Sequence, residues 1–189
     1  MGILNKILEQ SKLNKELLGL WKYNDDEGFW LGYIVDFNEN LITIQHFTNY
    51  GKKDGLIIVQ YQDIKSVDFN DDYAKAMQCV IDYSDQLDKE DETILTISDY
   101  EYWQFEILHQ LEGNYEKVIS VEISGSDYFS GFIQEVSEVD FILHCVGKLG
   151  EDEGTVVYRI EDVTGFKIND IDNRKRAMLF KWRKTNLQQ

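Results

Sequence analysis

Gly32-Tyr33-Ile34-Val35-Asp36-Phe37-Asn38-Glu39 opens a stretch that closes on Asp63-Ile64-Lys65-Ser66-Val67-Asp68-Phe69-Asn70-Asp71. The same pattern returns at an offset of 99 residues. It runs from Gly131-Phe132-Ile133-Gln134-Glu135-Val136-Ser137-Glu138 to Asp162-Val163-Thr164-Gly165-Phe166-Lys167-Ile168-Asn169-Asp170. No gap is needed between the two. Gly32, Ile34, Glu39, Gly51, Gly55, Asp63, Asn70 and Asp71 recur as Gly131, Ile133, Glu138, Gly150, Gly154, Asp162, Asn169 and Asp170. Apolar positions pair as well, among them Ile42/Phe141, Ile44/Leu143, Ile57/Val156, Ile64/Val163 and Val67/Phe166. Chance accounts poorly for identities that fall on turn glycines and strand ends.

Each copy reads as five short strands. The first spans 17–23 or 118–123, and the second 30–37 or 129–136. In the third, 41–47 or 141–146, Ile42/Ile44 and Phe141/Leu143 alternate with more polar neighbours, as in a half-buried strand. The runs Gly51-Lys52-Lys53-Asp54-Gly55 and Gly150-Glu151-Asp152-Glu153-Gly154 read as hairpin loops, since glycine takes positive φ without steric cost. A fourth strand follows at 56–61 or 155–160. Beyond Asp63 and Asp162 the apolar spacing changes to three, which predicts one tight helical turn before the fifth strand. Apolar residues at 3, 4, 7 and 8, and again from 103 to 111, predict a helix ahead of each copy. Residues 73–83 read as a helix or an extended strand.

Composition bounds what such a chain can do. It has 189 residues, of which 43% are apolar, with two cysteines and no proline. That suffices for a core but not for a disulfide scaffold. Its 19 basic and 35 acidic residues give a net charge of −16. Residues 174–184 hold six basic residues and no acid, so the remainder carries a net −22. So acidic a body repels phosphate backbones and attracts a basic partner. No secretory leader or membrane-length apolar run is read. Cys79 and Cys145 sit among apolar residues, as reduced core thiols do, which makes the cytoplasm the default compartment.

The segments Gly32-Tyr33-Ile34-Val35-Asp36-Phe37 and Gly131-Phe132-Ile133-Gln134-Glu135-Val136 resemble the glycine-containing second strand of the first Sm motif. Gly55 to Ile64 and Gly154 to Val163 look like the second motif. The pattern is also similar to uncharacterised bacterial proteins with a Gly-x-x-Asp-Gly hairpin before an Asp-Ile/Val turn. The resemblance implies an Sm-like, SH3-type small barrel, RNA binding and ring assembly. The Arg-Gly pair typical of RNA-binding Sm proteins is Gln60-Tyr61 in one copy and Arg159-Ile160 in the other, so only Arg159 remains.

Other candidate chemistry is sparse. His46, His109 and His144 have no repeat partner and no metal-ligand spacing. Asp68–Asp72 and Asn169–Asn173 look like calcium loops, yet positions six and twelve from Asp68 hold Tyr73 and Cys79 where an EF-hand needs Gly and Glu. Both read instead as turns or caps. No phosphate-binding, dinucleotide or nucleophile-elbow motif occurs, so no catalytic, cofactor or metal residue is assigned. Trp21, Tyr23, Phe29 and Trp30, with their counterparts Tyr128 and Phe129, are read either as packing or as a ligand groove. The basic tail is read as a lipid or nucleic-acid contact, as a segment docked on the acidic body, or as the second copy's terminal element, which Ala177-Met178 echoing Ala76-Met77 favours.

The reading is therefore a mainly β protein with flanking helices (α+β), comprising two tandem five-stranded Sm/SH3-like barrels, each preceded by a helix. Residues 1–83 form the first unit, 84–99 an acidic linker and 100–189 the second unit with its basic terminal element. The expected role is non-enzymatic binding or scaffolding through an acidic surface. Its interaction candidates are Trp21, Tyr23, Phe29, Trp30, Tyr128, Phe129 and Arg159. The expected partner is a basic protein; nucleic acid is disfavoured, and a homo-oligomer or an intramolecular pseudo-dimer stays open. The alternatives are an Sm-like RNA binder or an antitoxin- or immunity-type inhibitor.

Overall fold

A close approach of two backbones that only glycine permits shapes both sheets. The computed structural model describes residues 2–23, 28–89, 94–125 and 127–186. They fall into two units, Met1–Ser84 and Asp85–Gln189. The first holds α1 (Ile3–Asn14), β1 (Leu18–Lys22), β2 (Trp30–Phe37), β3 (Leu41–Phe47), β4 (Lys53–Gln60), β5 (Ile64–Phe69) and α2 (Asp72–Asp82). Next come α3 (Ser84–Leu87), α4 (Trp103–Leu111), β6 (Ile119–Ile123), β7 (Asp127–Val136), β8 (Asp140–Val146), β9 (Asp152–Arg159), β10 (Val163–Ile168) and α5 (Ile171–Asn186). Within the stretch read as a linker, α3 buries Leu87, and Leu95 packs against the second unit's core.

Each unit contains one antiparallel sheet of five strands, ordered β4-β3-β2-β1-β5 and β9-β8-β7-β6-β10. The chain is thus mainly β with helices, an α+β arrangement. Among the described residues the sheets are open, with no pairing between β4 and β5 or between β9 and β10 to close a barrel. A 3-10 turn, Tyr61–Asp63 or Ile160–Asp162, carries the chain to the far side of β1 or β6. The last strand therefore pairs there.

A Cβ on Gly32 would meet the carbonyl oxygen of Gln45 and lie 2.9 Å from its carbon. On Gly131 it would meet the carbonyl oxygen of His144, with the carbon at 2.8 Å. Register shifts follow at Ile34/Asp36 and Gln45/Phe47, and at Ile133/Glu135 and His144/Val146. Such bulges bend and twist a sheet. They also move the hairpin. The turns close from Thr48 to Lys52 and from Gly147 to Glu151, where the first amide donates to the last carbonyl at 2.8 and 2.9 Å. Gly55 and Gly154 then lie inside β4 and β9, so the turns form a few residues before the loops expected at 51–55 and 150–154.

The helices cover opposite faces because neighbouring strand residues point to opposite sides. In the second unit Ile133 faces α4, joining Ile107, Leu108, Leu111, Phe141 and Leu143. Phe132 faces α5, joining Val118, Val146, Ala177 and Phe180. In the first unit Leu8 of α1 packs with Leu18, Leu20, Ile34, Ile42 and Ile44. Side chains of the preceding helix, or of the residue that caps its end, bond to the backbone of β2 and β7. The Ile34 amide donates to Ser11 Oγ at 3.0 Å, and the Val136 amide donates to Glu112 Oε1 at 2.9 Å.

The acid-rich turns after β5 and β10 start helices. Asn70 and Asn169 take left-handed backbone, φ 58° and 61°. Asp71 Oδ1 accepts from the Ala74 amide at 2.7 Å, and Asp170 Oδ1 from the Asn173 amide at 2.9 Å. This side-chain cap satisfies an otherwise orphaned donor, and it settles residues 72–82 as helix rather than strand. α2 and α5 then press on the hairpin turns. A Cβ on Gly51 would lie 2.5 Å from the Val80 carbonyl oxygen, and one on Gly150 2.5 Å from the Phe180 amide nitrogen.

Candidate functional site

Three segments of the second unit converge on a groove. Residues 96–99, just ahead of α4, are fastened to it. The Thr96 amide donates to Gln110 Oε1 at 3.0 Å, and Gln110 Nε2 donates to the Thr96 carbonyl at 2.7 Å. The Ser98 amide donates to Glu106 at 2.6 Å, the Ser98 hydroxyl donates to the same carboxylate, and these bonds hold Glu106 below the usual carboxylate range. The anchoring brings Glu101 and Tyr102 to one rim. The β7–β8 turn forms a second wall. Ser137 Oγ donates to Asp140 Oδ1 at 2.5 Å and accepts from the Val139 amide at 3.2 Å. The third wall is the end of β9 and its 3-10 turn, tied across by the Ile160 amide donating to the Val139 carbonyl at 3.0 Å.

The resulting groove has a volume of about 980 Å³. Tyr102, Phe105, Val139 and Ile160 supply its apolar lining, and Glu101, Glu138, Asp140 and Glu161 supply four carboxylates. Tyr102 is 63% and Val139 69% exposed, whereas Ile160 is 8% exposed. The lining also holds Gln104 and Arg159. Arg159 Nη1 donates to Glu161 Oε1 at 2.6 Å. That bond leads the causes raising its pKa, and Asp162 and Asp140 add to them. In the first unit the same three elements enclose about 330 Å³ between Asn5, Phe37, Asn38, Glu39 and Tyr61. There Tyr61 Oη donates to Asn5 Oδ1 at 2.6 Å.

Of the residues singled out from sequence, Arg159 lines this groove and the aromatics lie elsewhere. Trp21 packs at a tilt on Phe29, centroids 4.9 Å apart, and Phe29 meets Tyr73 edge-on at 5.4 Å. Trp21 Nε1 donates to Asp68 Oδ2 at 2.5 Å. Trp30 packs on the first unit's core and against His46. Tyr23 is exposed, with its amide donating to the Asp63 carbonyl. Tyr128 lies under Lys167 at 3.9 Å, and Phe129 packs at a tilt on Tyr158. The groove acids were not singled out, because nothing in a chain so rich in acids says which of them meet.

The basic terminal element is α5. Leu179 and Phe180 are buried, while Met178 and Trp182 are half-buried. Its arginines donate to backbone carbonyls of their own unit: Arg174 to Leu87, Arg176 to Val146 and Arg183 to Leu149. Lys181 pairs with Glu116. Much of the positive charge is thus engaged locally, which favours the terminal-element reading over a nucleic-acid or lipid contact.

The histidines have neighbours of other kinds. His46 Nδ1 lies 2.8 Å from the Leu31 carbonyl, His144 Nε2 lies 2.8 Å from Asp152, and His109 stacks on Phe105. No group of three or more His, Cys, Asp or Glu able to hold a metal occurs among the described residues. Both thiols are buried. Burial and then Asp82 push Cys79 up to about 11, and burial and then Glu153 raise Cys145. Since the thiolate is the nucleophile, neither cysteine should react with a disulfide reagent at neutral pH until denaturant is added. Fast native labelling of either would contradict this.

No helix among the described residues is long and apolar enough to cross a membrane. No family model, curated protein or solved structure gives a significant match to the chain.

Proposed function

We propose that this protein is a non-enzymatic binding module, a tandem of two Sm-like units each built on an open five-stranded sheet, whose second-unit groove takes a basic segment of a protein partner. The groove carries the reading. Four carboxylates surround an aromatic and aliphatic lining, and the one arginine there is already paired. Such a site suits an arginine or lysine side chain. Its methylenes lie on Tyr102 and Val139, its charge meets the acids, and an aromatic face adds attraction for the cation. A phosphate backbone would instead meet repulsion. Support for the tandem Sm-like reading comes from the shared strand order, with bulges, 3-10 turns and helix caps at positions 99 residues apart. An inhibitor of a basic protein is one instance of the class.

The test is titration of a fluorescein-labelled oligo-arginine peptide by anisotropy. Reversing two groove charges, Glu101→Lys with Glu138→Lys, should weaken binding by about tenfold or more. Asp54→Lys with Asp127→Lys gives the same net charge outside the groove and should weaken it by only about twofold. Equal losses would show nonspecific attraction and sink the groove. Tyr102→Ala should add about a threefold loss from the missing ring contact.

A further inference from the structure

We propose that Arg159 is a built-in stand-in for the partner's cation, a side chain that occupies the groove's acids until a basic ligand displaces it. The inference rests on the reading of the groove as a site for basic segments.

Arg159 ends β9, and its Nη1 donates to Glu161 Oε1 at 2.6 Å. Asp140, on the facing β7–β8 turn, and Asp162 also act on its charge. The guanidinium therefore stands within the field of the groove's own acids. It is nevertheless 73% exposed, as is most of its partner Glu161 at 70%. An exposed pair of this kind is weak and easily exchanged, so nothing holds the side chain against a competing guanidinium.

The other unit supplies a contrast. The position matching Arg159 is Gln60, which accepts from Gln62 Nε2 at 2.7 Å. The groove beside it contains a single carboxylate, Glu39. A cation thus stands where carboxylates crowd and is replaced by an amide where they do not. Like charges around one groove repel one another, and Arg159 relieves that repulsion in the free protein. Once a ligand brings its own cation, Arg159 repels it. The consequence is selectivity: a single positive charge gains little by replacing Arg159, while a ligand with several gains at the remaining acids as well.

The experiment compares the intact protein with its Arg159→Gln variant, using the oligo-arginine peptide at low and at physiological salt. Arg159→Gln should bind about threefold to tenfold tighter. The gain should shrink as salt screens it. Its melting temperature should fall by no more than about 2 °C, because the pair is exposed and the repulsion it relieves is screened by solvent. Unchanged or weaker peptide binding in Arg159→Gln, with wild type binding through the groove, would overturn the proposal and leave the groove reading intact. If neither protein binds the peptide better than the Glu101→Lys, Glu138→Lys variant, the groove reading falls and takes the proposal with it. Binding of a single-stranded RNA oligomer by wild type, lost in Arg159→Gln, would make Arg159 an anion ligand and overturn the proposal from the other side.

Discussion

Gly131→Val should destabilise the second unit by about 3 kcal/mol, at the upper end of what overpacking costs. The added Cβ would meet the His144 carbonyl oxygen and lie 3.1 Å from the Cys145 Cα. Both are backbone atoms of β8, so no rotamer change relieves the clash and the β7–β8 pair must separate. Gly32→Val should do the same to β2 and β3, where the Gln45 carbonyl and the Ile44 side chain stand in the way. Gly165→Ala is the control. Its Cβ would first meet the Glu122 carboxylate at 3.1 Å, the movable end of a flexible side chain, and the change should be within about 1 kcal/mol of neutral. Chemical denaturation followed by circular dichroism measures all three. A Gly131→Val protein as stable as wild type would show that the strands do not approach as closely as described.

The same glycines explain why so much of the fold was legible in the sequence. Gly32, Gly51 and their counterparts sit where a side chain is excluded by backbone, and Asp71 and Asp170 sit where a helix needs a cap. These are local requirements, so residue identity at one position carries the information. Ile42/Ile44 and Phe141/Leu143 were legible for a similar reason, since a strand's period of two shows within one short segment. Residues 73–83 were ambiguous because Val80 and Ile81 favour strands while the spacing of Ala76, Met77 and Val80 fits a helix face. The Asp71 cap and the burial of those three residues decide it. The groove was legible only at Arg159. Its walls come from residues 101–105, 138–140 and 159–161, and only tertiary packing brings those acids together. The loops placed at 51–55 and 150–154 were late for a related reason. Glycine marks positive φ, but it does not say whether the residue closes a turn or bends a strand.

Phe132→Ala should cost about 3–5 kcal/mol, as large aromatic truncations in a core do. Phe132 is fully buried between the rings of Phe180 at 5.1 Å, Tyr115 at 5.9 Å and His144 at 6.2 Å. With Val118 and Val146 it forms the apolar surface on which α5 covers the sheet face opposite α4. Its loss leaves a cavity that rigid strands on one side and a helix on the other cannot collapse. The matching residue of the first unit is Tyr33, half-buried against Phe47 with Lys15 above its ring. Water can reach that site, so Tyr33→Ala should cost only about 1–2 kcal/mol. Hydrogen exchange separates the two effects by location. In Phe132→Ala the amides of β6–β10 and α5 should exchange faster, while those of β1–β5 keep their protection, because each sheet belongs to its own unit with its own core. Loss of protection spread evenly over both sheets would mean that the units unfold as one, and a Tyr33→Ala cost equal to that of Phe132→Ala would mean that the two faces are packed alike.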